Sequence, residues 1–135
     1  MADLRTLPVI NDDNRDFWTS GADGALRITH CQDCGRWQHP PQPLCSHCLS
    51  LNVKADPVSG KAVVWNYTIN SRPWTPRLAE PYAIAIVELA EDSSVHMTTK
   101  LVNVDPKDVH IGMPVEVVFE QDEDVWLPFF QPAQP

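Results

Sequence analysis

The sequence predicts a mainly β chain in three segments: a short N-terminal helix, a cysteine-bearing ribbon and a five-stranded barrel. Three observations carry this reading. Two Cys-x-x-Cys pairs stand close together, Cys31 with Cys34 and Cys45 with Cys48. Beyond them, apolar residues fall in short period-two runs separated by turn residues. Thirteen prolines among 135 residues break up long helices and favour short, frequently connected strands.

The first segment, residues 1–24, contains Asn11 to Thr19, where capping residues precede Phe17 and Trp18, with Gly21 and Gly24 following. Asn11 or Asp12 caps a short helix, its acidic first turn suits the helix dipole, and the glycines end it. Phe17 and Trp18 either pack this helix onto the chain or meet another protein; both readings stay open.

The second segment, residues 25–56, is the ribbon. A short strand around Leu26 and Ile28 leads into Cys31-Gln32-Asp33-Cys34-Gly35, and ten residues separate Cys34 from Cys45-Ser46-His47-Cys48. An outgoing strand lies around Leu51 and Val53. Two residues between thiolates let both sulfurs of a tight knuckle face one ion, and two knuckles supply the four ligands of a closed structural zinc site. Gly35 supplies the positive φ that such a knuckle uses. A redox pair opens a helix in a βαβ setting, which is missing here, and a disulfide framework belongs to exported chains. One structural zinc ion per chain, held by Cys31, Cys34, Cys45 and Cys48, is therefore expected. Four thiolates leave no open position for catalysis. Pro40, Pro41 and Pro43 stiffen the spacer, and Trp37 covers either the metal cluster or the seam with the next segment. His30 and His47 sit beside the ligands in supporting or solvent-facing positions; His39, His96 and His110 have no partner visible in sequence.

The third segment, residues 57–135, reads as five strands and a C-terminal tail. After the Ser59-Gly60 turn, Val63, Trp65, Tyr67 and Ile69 alternate with Val64, Asn66, Thr68 and Asn70, as in a strand with one buried face. Tyr82 to Leu89 is apolar on both faces except Glu88 and belongs in the centre of the sheet. Val95 to Val102 is the third strand. Asp105 before Pro106 caps one helical turn. Val115, Val117 and Phe119 begin the fourth strand, and an acidic hairpin at Gln121 to Asp124 leads to the fifth, Trp126 to Phe130. Five short strands with a helical turn between the third and fourth fit an OB-fold barrel; a small β-sandwich is the alternative.

Composition narrows the function classes. With 43% apolar residues the chain can bury a core. Its formal net charge is −8, from 18 acidic and 10 basic residues, which opposes the counterion release that drives nucleic-acid binding. Single-stranded nucleic acid, which such folds bind elsewhere, is thus disfavoured. No segment reaches the roughly 20 apolar residues of a membrane span, and Met1 to Asn11 has no long apolar stretch. The expectation is a cytoplasmic protein without a membrane partner, its thiols reduced.

These pieces together resemble a known family, the zinc-ribbon and OB-fold proteins called domain of unknown function 35. The resemblance rests on Phe17-Trp18, the two cysteine knuckles, Pro40-Pro41, Val58-Ser59-Gly60-Lys61, Pro81-Tyr82, Ile111-Gly112-Met113-Pro114-Val115 and Leu127-Pro128-Phe129-Phe130. It implies a rubredoxin-like zinc ribbon and an accessory subunit that binds and stabilises a thiolase-like acyl-CoA enzyme, above all a retro-aldolase of steroid side-chain degradation. In such assemblies the thiolase-like subunit holds the catalytic residues, and its dimeric habit implies a heterotetramer. The four cysteines carry over as the zinc ligands.

The residues suggest how a partner or ligand is met. Partner-facing candidates are Phe17 with Trp18, Trp74 with Tyr82, and Trp126 with Phe129 and Phe130, because large aromatics anchor interfaces. A stand-alone acyl-CoA-binding module is the alternative function. It would use the loop Ser71 to Arg77, with Arg72 and Arg77 on phosphates and Trp74 on adenine. The same loop also reads as a proline-stiffened surface turn or a partner contact.

Overall fold

A computed structural model of the chain describes residues 6–74, 76 and 79–134. Asn11 forms a turn rather than a helix cap. Its side-chain oxygen accepts the N–H groups of Asp13 and Asn14, both at 2.9 Å, an arrangement that competes with helix. Helix α1 therefore starts later and spans only Arg15–Trp18. A 3₁₀ turn, Ser20–Asp23, follows and ends at Gly24, whose φ of 77° needs glycine.

The ribbon is a three-stranded antiparallel sheet in the order β2-β1-β3, with β1 at Arg27–Cys31, β2 at Trp37–Gln38 and β3 at Val53–Pro57. The two-residue β2 is too short to show in sequence. The outgoing strand starts two residues later than Leu51, because Leu49 to Asn52 complete the second knuckle.

The barrel holds β4 (Lys61–Asn70), β5 (Tyr82–Leu89), β6 (His96–Leu101), β7 (Pro114–Asp122) and β8 (Val125–Pro132). Its strands close in the order β4-β5-β6-β8-β7, one sheet curled on itself and not a sandwich. Closure comes from β4 against β7 at Lys61–Val63 and from a parallel contact of β6 with β8 at Leu101 and Phe130. As expected, β5 is central, and its inward residues Ala83, Ala85, Val87 and Leu89 are buried. The helical turn Pro106–Asp108 is capped by Asp105, which accepts the Lys107 N–H. One core joins all three segments: Phe17, Leu26 and Ile28 pack with Val64, Val87, Met97 and Phe130.

Strand β4 departs from the sequence reading. Its buried residues are Ala62 and Val64, whereas Val63, Trp65 and Ile69 are exposed, Trp65 by 48%. A bulge between Val64 and Asn66 shifts the register and leaves Trp65 unpaired. One extra residue moves every later side chain to the other face, which a strict period of two cannot register.

Gly60 shows how tightly the barrel entrance is built. Its φ is 79°, and a Cβ there would lie 2.5 Å from Val117 Cγ1. Gly60→Ala is expected to cost about 2 kcal/mol through the left-handed backbone and the overlap together; urea denaturation measures it, and a loss near zero would show that Val117 yields freely. Among the described residues, no helix is long and apolar enough to cross a membrane.

Candidate metal centre

Each knuckle wraps its own sulfurs by the same local rule. In the first, the Gly35 N–H reaches the Cys31 carbonyl at 3.1 Å and the Cys34 N–H points at Cys31 Sγ at 3.4 Å. In the second, the Leu49 N–H reaches the Cys45 carbonyl at 3.0 Å, while the N–H groups of His47 and Cys48 point at Cys45 Sγ, both at 3.4 Å. Leu49 takes the position that Gly35 holds in the first knuckle, at a φ of 64°.

The two knuckles face each other. Cys31 Sγ lies 3.6 Å from Cys48 Sγ, and Cys34 Sγ lies 3.6 Å from Cys45 Sγ. All four sulfurs lie within 4.8 Å of one another. Backbone N–H groups, from Cys48 first, hold the Cys45 thiol down at about 6. At Cys48 the Ser50 N–H favours the thiolate, but burial and the neighbouring thiols outweigh it and push the group up to about 12. Four thiolates this close repel one another unless a cation neutralises them. Four soft donors converging from two knuckles fit zinc with no vacant position, and the chain carries a structural zinc site.

Neighbouring side chains lock the knuckles in place. Asp33 accepts from the Ser50 hydroxyl and, at 3.1 Å, from Asn52, so the first knuckle grips the exit of the second. The Ser50 hydroxyl holds the Asp33 carboxyl below its ordinary value. Gln38 bridges the ends of the spacer, donating to the Leu44 carbonyl at 2.8 Å and accepting the Ser46 N–H at 2.9 Å. His30, next to a ligand, bonds Asp56 at 2.8 Å and the Gly35 carbonyl at 3.2 Å, and His47 is exposed. Trp37 stacks on the His30 ring at 3.9 Å and packs against the core. It therefore serves the seam with the barrel.

The aromatic candidates separate. Phe17 (4% exposed) and Phe130 (0%) belong to the core. Trp18, Tyr82, Trp126 and Phe129 are half-buried. Trp74 is 63% exposed, but its ring carries the Arg72 guanidinium at 4.5 Å and its N–H bonds Asn70 at 2.9 Å. Arg72 and Trp74 thus occupy each other, and Arg77 lies outside the described residues. Sequence reasoning missed Val63, Trp65 and Ile69 as surface residues. The run Ala62 to Ser71 contains no charge, and Ala62, Val63, Val64 and Trp65 put apolar residues on both faces at its start, which was the available signal.

Phe17, Trp18 and Phe129 line one wall of a cavity of about 470 Å³ between α1, the ribbon spacer and β6 and β8. His39 also lines it, 4.8 Å from the Phe17 ring. Burial lowers the His39 pKa from 6.5 to about 4. Between these values the unfolded chain takes up a proton that the folded chain refuses. The stability is therefore complete above pH 6.5 and declines as pH falls toward 4. Going from pH 7 to pH 5 is expected to cost about 2 kcal/mol at this position. Urea denaturation of the zinc-loaded protein and of His39→Phe at both pH values isolates the contribution; an equal decline in both would contradict it.

Comparison with known proteins places these features. Residues 18–54 match the family model for the ChsH2 rubredoxin-like zinc ribbon domain, and residues 55–120 match that for the ChsH2 C-terminal OB-fold domain. The chain is 36% identical over 133 residues to a protein of Thermomonospora curvata described as a probable enoyl-CoA hydratase alpha subunit. It is 32% identical over 132 residues to the 3-oxo-4,17-pregnadiene-20-carboxyl-CoA hydratase alpha subunit of Mycobacterium tuberculosis. Both alignments take in 98% of this chain but only 41% and 42% of those proteins, so the chain spans about two fifths of their length. A DUF35 domain-containing scaffold protein of Methanothermobacter thermautotrophicus is 34% identical, with 73% of this chain and 77% of that protein aligned. Among solved structures, a chain of the Ltp2-ChsH2(DUF35) aldolase superposes with a TM-score of 0.83 at 34% identity, over 95% of this chain and 100% of that one.

Proposed function

Because this chain belongs to the ChsH2 (DUF35) family of zinc-ribbon and OB-fold proteins, we propose that it is an accessory subunit of a thiolase-like acyl-CoA enzyme, specifically a retro-aldolase acting in steroid side-chain degradation. The carrying observation is the likeness to the Ltp2-ChsH2(DUF35) aldolase chain along that chain's entire length. The pregnadiene-carboxyl-CoA hydratase alpha subunit among the relatives supports a steroid-type thioester as substrate. The chain's own chemistry agrees. All four of its cysteines are metal ligands, so its strongest nucleophiles serve folding and leave the bond-breaking chemistry to a partner.

In this reading the zinc, once bound, supplies rigidity and no chemistry. The residues around it transmit that rigidity: Asp33, Gln38 and the His30–Asp56 pair fix the ribbon, and Leu26 and Ile28 seat it in the shared core. The partner holds the catalytic groups, and a pair of each subunit makes a heterotetramer.

Affinity isolation of the tagged chain from its native cell extract, with mass spectrometry of what accompanies it, tests the proposal. A thiolase-like protein recovered in equimolar amount is the expected result. Recovery of the chain alone, stable and monodisperse, would count against it.

A further inference from the structure

The cavity beside α1 has a composition that the accessory role does not use. Its volume of about 470 Å³ falls within the roughly 300–1,000 Å³ of small-molecule sites. The inner wall is apolar, built from Phe17, Trp18, Met97, Leu127 and Phe129. His39 also lines it, with a ring whose Nδ1 has no hydrogen-bond partner among the described residues.

Among the described residues, one charged side chain lines this space, Lys100. Among the described residues it meets no carboxylate and lies 5.1 Å over the Tyr82 ring. A half-buried ammonium beside an apolar cavity offers an anion a charge-assisted partner there. Lys100 also lines a second cavity of about 390 Å³ that runs toward Asn103 and Val104. It therefore stands between the apolar cavity and a more polar one whose wall also holds Glu80, which keeps an anionic head at Lys100 itself.

We propose that this cavity binds an amphiphilic anion, its apolar body against Phe17 and Phe129 and its carboxylate at Lys100. A charged body is excluded by the uncharged wall, because a buried ion without a partner is costly. A cationic head is excluded by Lys100 itself. The proposal is independent of the accessory role and is tested on the chain alone.

Calorimetric titration of the zinc-loaded full chain with decanoate, decan-1-ol and decyltrimethylammonium, each below its micelle concentration, reads the head-group preference directly. Decanoate is expected to saturate one site per chain, about tenfold more tightly than decyltrimethylammonium, with decan-1-ol between. Lys100→Glu is expected to reverse that order. Thr98→Trp, on the outward face of β6 and in the cavity wall, is expected to abolish binding of all three while zinc content and circular dichroism stay unchanged. No saturable binding, indifference to the head group, or decanoate binding unaffected by either variant would each overturn the proposal. So would loss of the co-isolated protein partner from Thr98→Trp when the unmodified chain binds no probe, since the cavity would then be a protein interface.

Discussion

Cys45→Ser is expected to strip the chain of zinc and to unfold residues 27–57. Cys45 is buried and its sulfur collects two backbone N–H groups besides facing Cys34. A serine hydroxyl at that position neither ionises near neutral pH nor matches the softness of a thiolate toward zinc. Structural zinc in small ribbons contributes about 10–16 kcal/mol of apparent binding free energy. Losing one ligand should therefore remove several kcal/mol of stability here. The damage should spread, because Leu26 and Ile28 enter the core that the barrel shares. Metal analysis should fall from one equivalent to near zero, with a lower thermal midpoint and increased binding of a hydrophobic dye. A Cys45→Ser protein that keeps one equivalent of zinc and its midpoint would show that the four sulfurs are not the ligand set.

Phe130→Ala is expected to destabilise the barrel by about 3–5 kcal/mol. The ring is fully buried, and its backbone stands at the one point where β8 runs parallel to β6 while also pairing with Val117 of β7. A cavity there opens the barrel at its closure. Trp65→Ala, on the exposed bulge, should cost far less, since the lost contact is chiefly the stack on His96 at 4.4 Å. Chemical denaturation of the pair separates core from surface. A Phe130 variant as stable as the parent would return that residue to the list of partner contacts.

The contrast between these two aromatics shows what the sequence could reveal. The metal site was legible because ligand spacing is a local property: two residues between thiolates fix the knuckle whatever surrounds it. The barrel strands were legible for a similar reason, since Tyr82 to Leu89 and the Asp105-Pro106 cap carry their signals within a few residues. Which face of a strand turns inward depends on a bulge, and the bulge at Trp65 is set by pairing with β5. That information lies in residues 82–89, not in the strand's own pattern. Phe17 and Phe130 looked like interface anchors because an aromatic near a chain end carries no local mark of burial. Only the closed barrel and the ribbon lying across it put them inside. The pairing of Arg72 with Trp74 likewise arises from a turn geometry that composition does not specify.

The measurement that bears most directly on the accessory role is reconstitution. The co-isolated thiolase-like subunit, freed of this chain, would be assayed for cleavage of a steroid-type acyl-CoA while the zinc-loaded chain is titrated back. The account predicts that activity is low at first, rises with added chain and levels off at one chain per partner subunit. A partner fully active by itself, with no response to the titration, would contradict it.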